Sequence, residues 1–227
     1  MSIQAVIFGS TGMIGKGLLL ECLDSADVKS VLVINRQAGG IKHAKLKEII
    51  HKNFMDLSPL AAELANYNTC YFCLGVTSAG LPEEEYNKIT FDLTVSVAND
   101  LLKINREIAF CYLSGAGTDS TEKGKMMWAR VKGRTENALL AMPFKKAYMF
   151  RPGYIQPKRG IRSRTRLYNI MYAIFTPLYY VLRPFKGLVT DTGSLGRAMI
   201  RAVASGYGKQ ILEVKDINAL AGIQSTK

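Results

Sequence analysis

Histidine is nearly missing from this chain: His43 and His51 are the two in 227 residues. Cysteine is sparse as well, with four. So few imidazole and thiolate donors leave no expected metal site. Cys70-Tyr-Phe-Cys73 has the C-x-x-C spacing of redox and zinc sites. The stretch TCYFCLG, however, reads as a buried strand, on which residues three apart point to opposite faces. Reduced thiols in a chain of this size set the expectation of a cytoplasmic protein. No uncharged run reaches the roughly 18–20 residues of a membrane span. There is no internal repeat and no low-complexity segment. The opening MSIQAVIFGSTG lacks the basic lead of a signal peptide and reads as a first strand.

Acidic residues are scarce relative to basic ones, 18 against 30, for a formal net charge of +12. That balance points to anionic partners. Lys158, Arg159, Arg162, Arg164 and Arg166 form a run with no acid in it. A nucleic-acid surface would interleave aromatics with bases or carry a recognisable module, and neither is seen, so no nucleic-acid partner is expected. The chain is 48% hydrophobic and 21% charged. It is long enough for one well-filled core, and residues 1–227 are expected to form a single domain.

The strongest local signal is AVIFGSTGMIGKGLLLECL. A short apolar run leads into Gly9-Ser10-Thr11-Gly12-Met13-Ile14-Gly15, and the apolar residues after it recur at helical spacing. Strand, glycine turn and helix start, in that order, make a phosphate cradle. A bare tight turn would use the same glycines; the flanking strand and helix favour a nucleotide. The second strand, SVLVINR, ends without the acid that would hold the 2′-hydroxyl of NAD. Arg36 stands there instead, either as a solvated strand-end arginine or as the partner of a 2′-phosphate, which points to NADP. KEIIHKNFMDL is expected to be the third strand, with Asp56 at its end facing an adenine amino group.

Strands and helices go on alternating through TCYFCLG, EEEYNKITFDLTVSVANDLLK, IAFCYLSG, GKMMWARVKGRTENALLAM and AYMFRPG. This predicts an α/β fold with a doubly wound, mostly parallel sheet, a Rossmann fold with a short C-terminal substrate-binding segment. Ligands then bind at the carboxyl ends of the strands, where Leu74-Gly75, Ser114 and Pro152-Gly153 fall.

Taken together, GSTGMIG, CLGVTSAG, YLSGAG, VKG and FRPG resemble the landmarks of the short-chain dehydrogenase/reductase superfamily, in its extended and atypical branches. Within it the chain looks most similar to small NAD(P)-binding, epimerase-like proteins. The resemblance implies that Gly9 to Gly15, Arg36 and Asp56 bind cofactor. It implies that Leu74, Gly75 and Thr77 lie beside ribose and phosphates. Ser114 would match the catalytic serine and Lys132 the lysine that orients the nicotinamide ribose. Pro152, Gly153 and Ile155 would border the carboxamide. In place of the superfamily's general-acid tyrosine, four residues before Lys132, this sequence has Trp128. An indole N–H donates a hydrogen bond but does not exchange its proton near neutral pH. Tyr154, just after Pro152-Gly153, is therefore a further candidate proton donor beside Ser114 and Lys132.

From Lys158 the texture changes. The basic run precedes an uncharged stretch from Leu167 to Leu182, interrupted by tyrosines and Pro177. As a helix it would reach about 24 Å, short of a bilayer core of roughly 30 Å. Residues 154–190 read as an inserted substrate or lid segment. A second reading is peripheral contact with an anionic membrane through 158–186. The expected function is NADP-dependent oxidoreduction of an unidentified small, lipid-like molecule. The alternatives are a non-catalytic NADP-sensing protein and an epimerase-like isomerase.

Overall fold

In a computed structural model of the chain, residues 2–161, Tyr179 and residues 187–222 are described. The basic residues Arg162, Arg164 and Arg166 and the uncharged stretch that follows, apart from Tyr179, lie outside them.

Seven parallel strands form one sheet: β1 (Ile3–Phe8), β2 (Val28–Asn35), β3 (Leu46–Ile50), β4 (Thr69–Phe72), β5 (Ala109–Leu113), β6 (Lys146–Arg151) and β9 (Ile211–Glu213). Their spatial order is β3-β2-β1-β4-β5-β6-β9. The order reverses at β1, and that switch point opens a crevice at the strands' carboxyl ends. Two short strands, β7 (Tyr154–Gln156) and β8 (Val189–Asp191), pair in parallel beside this sheet.

β1 shows why the sheet is doubly covered. Ile3, Ala5 and Ile7 face one core with α1 (Met13–Asp24) and α6 (Thr192–Ser205). Val6 and Phe8 face the other core with Phe54, Leu64 and Val97. The C-x-x-C pair splits in the same way. Cys70 belongs to the second core and Cys73 packs against the first, so the two thiols are on opposite faces. Burial pushes the Cys73 thiol up to about 12, so it stays protonated.

Asp191 caps α6 by accepting from the Ser194 amide at 2.8 Å. The long helix read from EEEYNKITFDL is three pieces in succession. α3 (Glu83–Asn87) runs into a π turn over Lys88–Asp92, and α4 (Leu93–Ile104) follows. An α-helix drifts by roughly 80° over eight residues. The wider turn removes much of that drift, so Tyr86, Thr90 and Thr94 are all buried on one face. α5 (Met127–Ala141) packs alongside. A last short helix, α7 (Val214–Leu220), follows β9.

The third strand is shorter than expected. It ends at Ile50, and Asp56 lies in the loop beyond it. His51 Nε2 holds that loop, 2.7 Å from the Asn53 carbonyl and 2.9 Å from the Asp56 carbonyl. A single 3-10 turn (Ser58–Leu60) and the one-turn α2 (Ala61–Leu64) come next. Neither is long enough to show a helical period in the sequence.

Candidate nucleotide-binding site

The glycine turn sits at the switch point. Gly9 has φ +85°, and a β-carbon there would stand 2.8 Å from the Cys73 backbone. A β-carbon on Gly15 would lie 2.2 Å from the Gly9 carbonyl oxygen. Both positions therefore demand glycine. α1 starts at Met13 with Gly12 as its cap and no side-chain capping bond, so its first amides are available to a phosphate.

A cleft of about 480 Å³ opens over this turn. It is lined by Gly9, Thr11 and Gly12 on one side, Asn35 and Arg36 at one end, and Leu74 and Gly75 on the far wall. Asn35 stands where an acid would hold a ribose. It is buried; Ser10 Oγ donates to its Oδ1 at 2.9 Å, and its Nδ2 donates to Glu48 Oε1 at 2.7 Å. The Gly39 amide donates to the same Glu48 oxygen at 2.9 Å. This chain of bonds ties the glycine turn to the loop after β2 and leaves the Arg36 side chain exposed at the cleft. Lys52 and Phe54 complete that end. Sequence reasoning missed both because it ran the third strand through them. Asp56 is absent from the lining. Its Oδ1 accepts from the Ser58 amide at 2.9 Å, and its hydrogen bonds to Ser58 hold its carboxyl below the usual range.

The wall continues from Gly75 into a second hollow of about 290 Å³, lined by Val76, Thr77, Ser78, Tyr86, Trp128 and Lys132. Trp128 and Lys132 lie one helical turn apart on α5 and share this face. The far edge of the Trp128 ring lies 3.5 Å from where a β-carbon on Gly117 would stand, so the indole packs under the loop that follows β5. Lys132 Nζ donates to the Ser114 carbonyl. Burial lowers its pKa to about 8, opposed by the nearby Glu136 carboxylate.

The three candidate proton donors do not all face this hollow, although Lys132 bonds the Ser114 carbonyl. Ser114 is buried, and its hydroxyl donates to Glu136, itself fully buried. The Ser114 amide is strapped to the Phe150 carbonyl at 2.9 Å, and the Ala116 amide to the Pro152 carbonyl at 2.8 Å. Tyr154 donates to Gln156 Oε1 at 2.8 Å. Ile155 packs into the first core, so only its backbone faces outward, paired opposite Thr190. Lys132 alone of the three opens onto the hollow.

The buried amine carries a testable sign. The pKa of Lys132 is depressed in the folded state, so the unfolded chain binds more protons between about 8 and the ordinary lysine value near 10.4. Stability contributed by this group therefore rises as pH climbs through that window. Lys132→Met is expected to raise the melting temperature of the ligand-free protein at neutral pH and to flatten the alkaline gain. Thermal melts across pH check this, and a lower neutral melting temperature would sink it.

The parallel sheet and the order of its strands give the chain a Rossmann-like α/β fold, the fold of solved short-chain dehydrogenase/reductase structures. No protein-family model matches the chain. Among solved structures it is similar to a short-chain dehydrogenase/reductase of Saccharomyces cerevisiae, with a TM-score of 0.66 and 13% identity over 97% of this chain and 99% of that one. It is also similar to the Bordetella bronchiseptica enzyme WbmH in complex with NAD+, with a TM-score of 0.63 and 15% identity over 96% of this chain and 79% of that one. Among curated proteins it is 22% identical to the mitochondrial protein FMP52-1 of Scheffersomyces stipitis, over 81% of this chain and 83% of that protein. It is 28% identical to the mitochondrial protein FMP52 of Chaetomium globosum, over 69% and 67%. These names overturn the cytoplasmic expectation. Unpaired cysteines report a reducing environment, not which compartment provides it.

Proposed function

We propose that this protein is an NADP-dependent oxidoreductase of the atypical short-chain type, acting on a carbonyl or alcohol of a small apolar molecule. The observation that carries the reading is a pair of hollows whose linings meet in sequence at Gly75-Val76. One lies over the glycine turn with two cations, Arg36 and Lys52, and the other holds Lys132. A bound nicotinamide dinucleotide would supply hydride transfer. The chain's part is to hold it. The α1 amides face the phosphates, Arg36 and Lys52 meet a 2′-phosphate, and Lys132 points at the ribose end. Val76, exposed and part of the hollow's lining, favours an apolar substrate. Following the names of its curated relatives, the working compartment is mitochondrial.

The non-catalytic, NADP-sensing reading has its own support, since Trp128 replaces the tyrosine and the Ser114 hydroxyl is engaged by Glu136. Arg36→Ala tests the part both readings share. It is expected to weaken NADPH roughly tenfold, because the pairing is charge-assisted but open to solvent, and to leave NADH nearly unchanged. Calorimetry with both cofactors decides; equal losses would remove the NADP assignment.

A further inference from the structure

Trp128 takes the phenol away from α5, and a different helix returns one. Tyr86 of α3 lines the same hollow as Trp128 and Lys132. Val76, Thr77 and Ser78, which complete the lining, carry no acid able to donate a proton near neutral pH. The geometry points to Tyr86 as the group that hands a proton to a substrate oxygen bound in this hollow. The inference rests on the oxidoreductase reading above and supplies the proton donor that reading lacks.

Three observations carry it. The competing hydroxyls are engaged elsewhere, Ser114 with Glu136 and Tyr154 with Gln156. The π turn after α3 keeps Tyr86 on the buried face of its helix, with 2% of its surface exposed. α3 is also clamped to α5 on both sides of Tyr86. Arg130 pairs with Glu83 at 2.6 Å, and Arg134 donates to Asn87. The phenol is thus fixed against the helix that carries Lys132.

The charges suit the task. Burial raises the Tyr86 phenol above its ordinary value, against a hydrogen bond with Thr90 that lowers it, so it is protonated at neutral pH, the form an acid needs. The titratable groups beside it are Lys132 of α5, which lines the same hollow, and Tyr112 of β5. Tyr112 is wholly buried and its phenol is pushed far up, so it does not compete. In a reduction, the carbonyl carbon receives hydride from the reduced nicotinamide while the C=O π pair moves to oxygen. The Tyr86 O–H bond breaks as the new alcohol O–H forms. The phenolate then takes a proton from the Lys132 ammonium, and water restores that one.

Trp128 is the single tryptophan, so its emission reports on this hollow alone. A phenolate beside the indole quenches it. Titrating the full chain without cofactor from about pH 7 to 12 should show an alkaline quenching step that Tyr86→Phe lacks. In a second arm, with NADPH and 4-nitrobenzaldehyde, Tyr86→Phe should lower kcat by about 10²–10⁴-fold while holding the NADPH Kd within about twofold. The double variant Tyr86→Phe/Trp128→Tyr, which moves the phenol back to α5, should regain at least about tenfold of that loss. The same quenching step in both proteins, an unchanged kcat, or a wild type that binds NADPH yet consumes none with the aldehyde overturns the inference. A wild type that fails to bind NADPH overturns the oxidoreductase reading instead, and the quenching step still reports where Tyr86 stands.

Discussion

Arg151→Met should lower the unfolding free energy by about 3–5 kcal/mol, the usual result of stripping one partner from a buried ion pair. Glu136 is fully buried, and Arg151 meets it with a fork: Nε lies 3.1 Å from both carboxylate oxygens, and a second nitrogen bonds Oε2. The remaining guanidinium reach goes to Glu213 at 3.3 Å and to Ser120 Oγ at 2.5 Å. With methionine at 151, the carboxylate keeps only the Ser114 hydroxyl as a hydrogen-bond donor from this cluster. Removing the pair together, as Glu136→Met/Arg151→Met, should recover much of the loss, because an apolar pair of similar volume needs no charge compensation. Urea denaturation gives both numbers from midpoints and slopes. A single variant within about 1 kcal/mol of wild type would show that the pair is not what holds α5 to β6.

Gly15→Ala should nearly abolish cofactor binding while leaving most of the sheet intact. Its new methyl would overlap the Gly9 carbonyl at 2.2 Å and the Gly9 carbonyl carbon at 2.7 Å. Overpacking of this kind costs about 1–3 kcal/mol. Here it acts on the loop that shapes the phosphate cradle, so most of it should be read in affinity. About 2.7 kcal/mol is a hundredfold in Kd, and a loss of that order in NADPH and NADH alike is expected. Calorimetry with both cofactors and a circular dichroism spectrum separate lost binding from lost fold. Retained binding would mean that the turn is structural only.

The sequence made the sheet legible because its central strands carry apolar runs followed by turn residues. The buried Ala5 to Phe8 and Val31 to Ile34 are the clearest cases. The glycine turn was legible for a different reason: close backbone approach leaves no other residue type possible at Gly15. The loop after β3 was not. HKNFMDL keeps strand-like composition, and only the His51 contacts to two carbonyls reveal that the chain has already turned. The shared face of Trp128 and Lys132 follows from their spacing on one helix, and the two line one hollow. The commitment of Ser114 was hidden because its partner Glu136 is an ordinary acid in an ordinary helical segment. Nothing in the spacing says that Glu136 faces inward. Tyr86 was hidden by the π turn, which changes the phase of its helix without changing its composition.

The pairing of β7 with β8 has a consequence for how this chain can vary. Tyr154 lies opposite Val189, and Gln156 lies opposite Asp191, so the points where the chain leaves and rejoins the frame are neighbouring strands. Both ends are fastened independently. Arg159 reaches Asp24 at 2.7 Å, the Lys158 amide donates to Thr192 at 3.1 Å, and Asn218 donates to the Val189 carbonyl at 2.9 Å. A stretch whose ends are already pinned side by side can be lengthened cheaply, since doubling a flexible loop costs only about 0.6 kcal/mol of closure entropy. The frame thus works as a socket. The positions of residues 161 and 187 are set by the frame itself, whatever the length of chain that joins them.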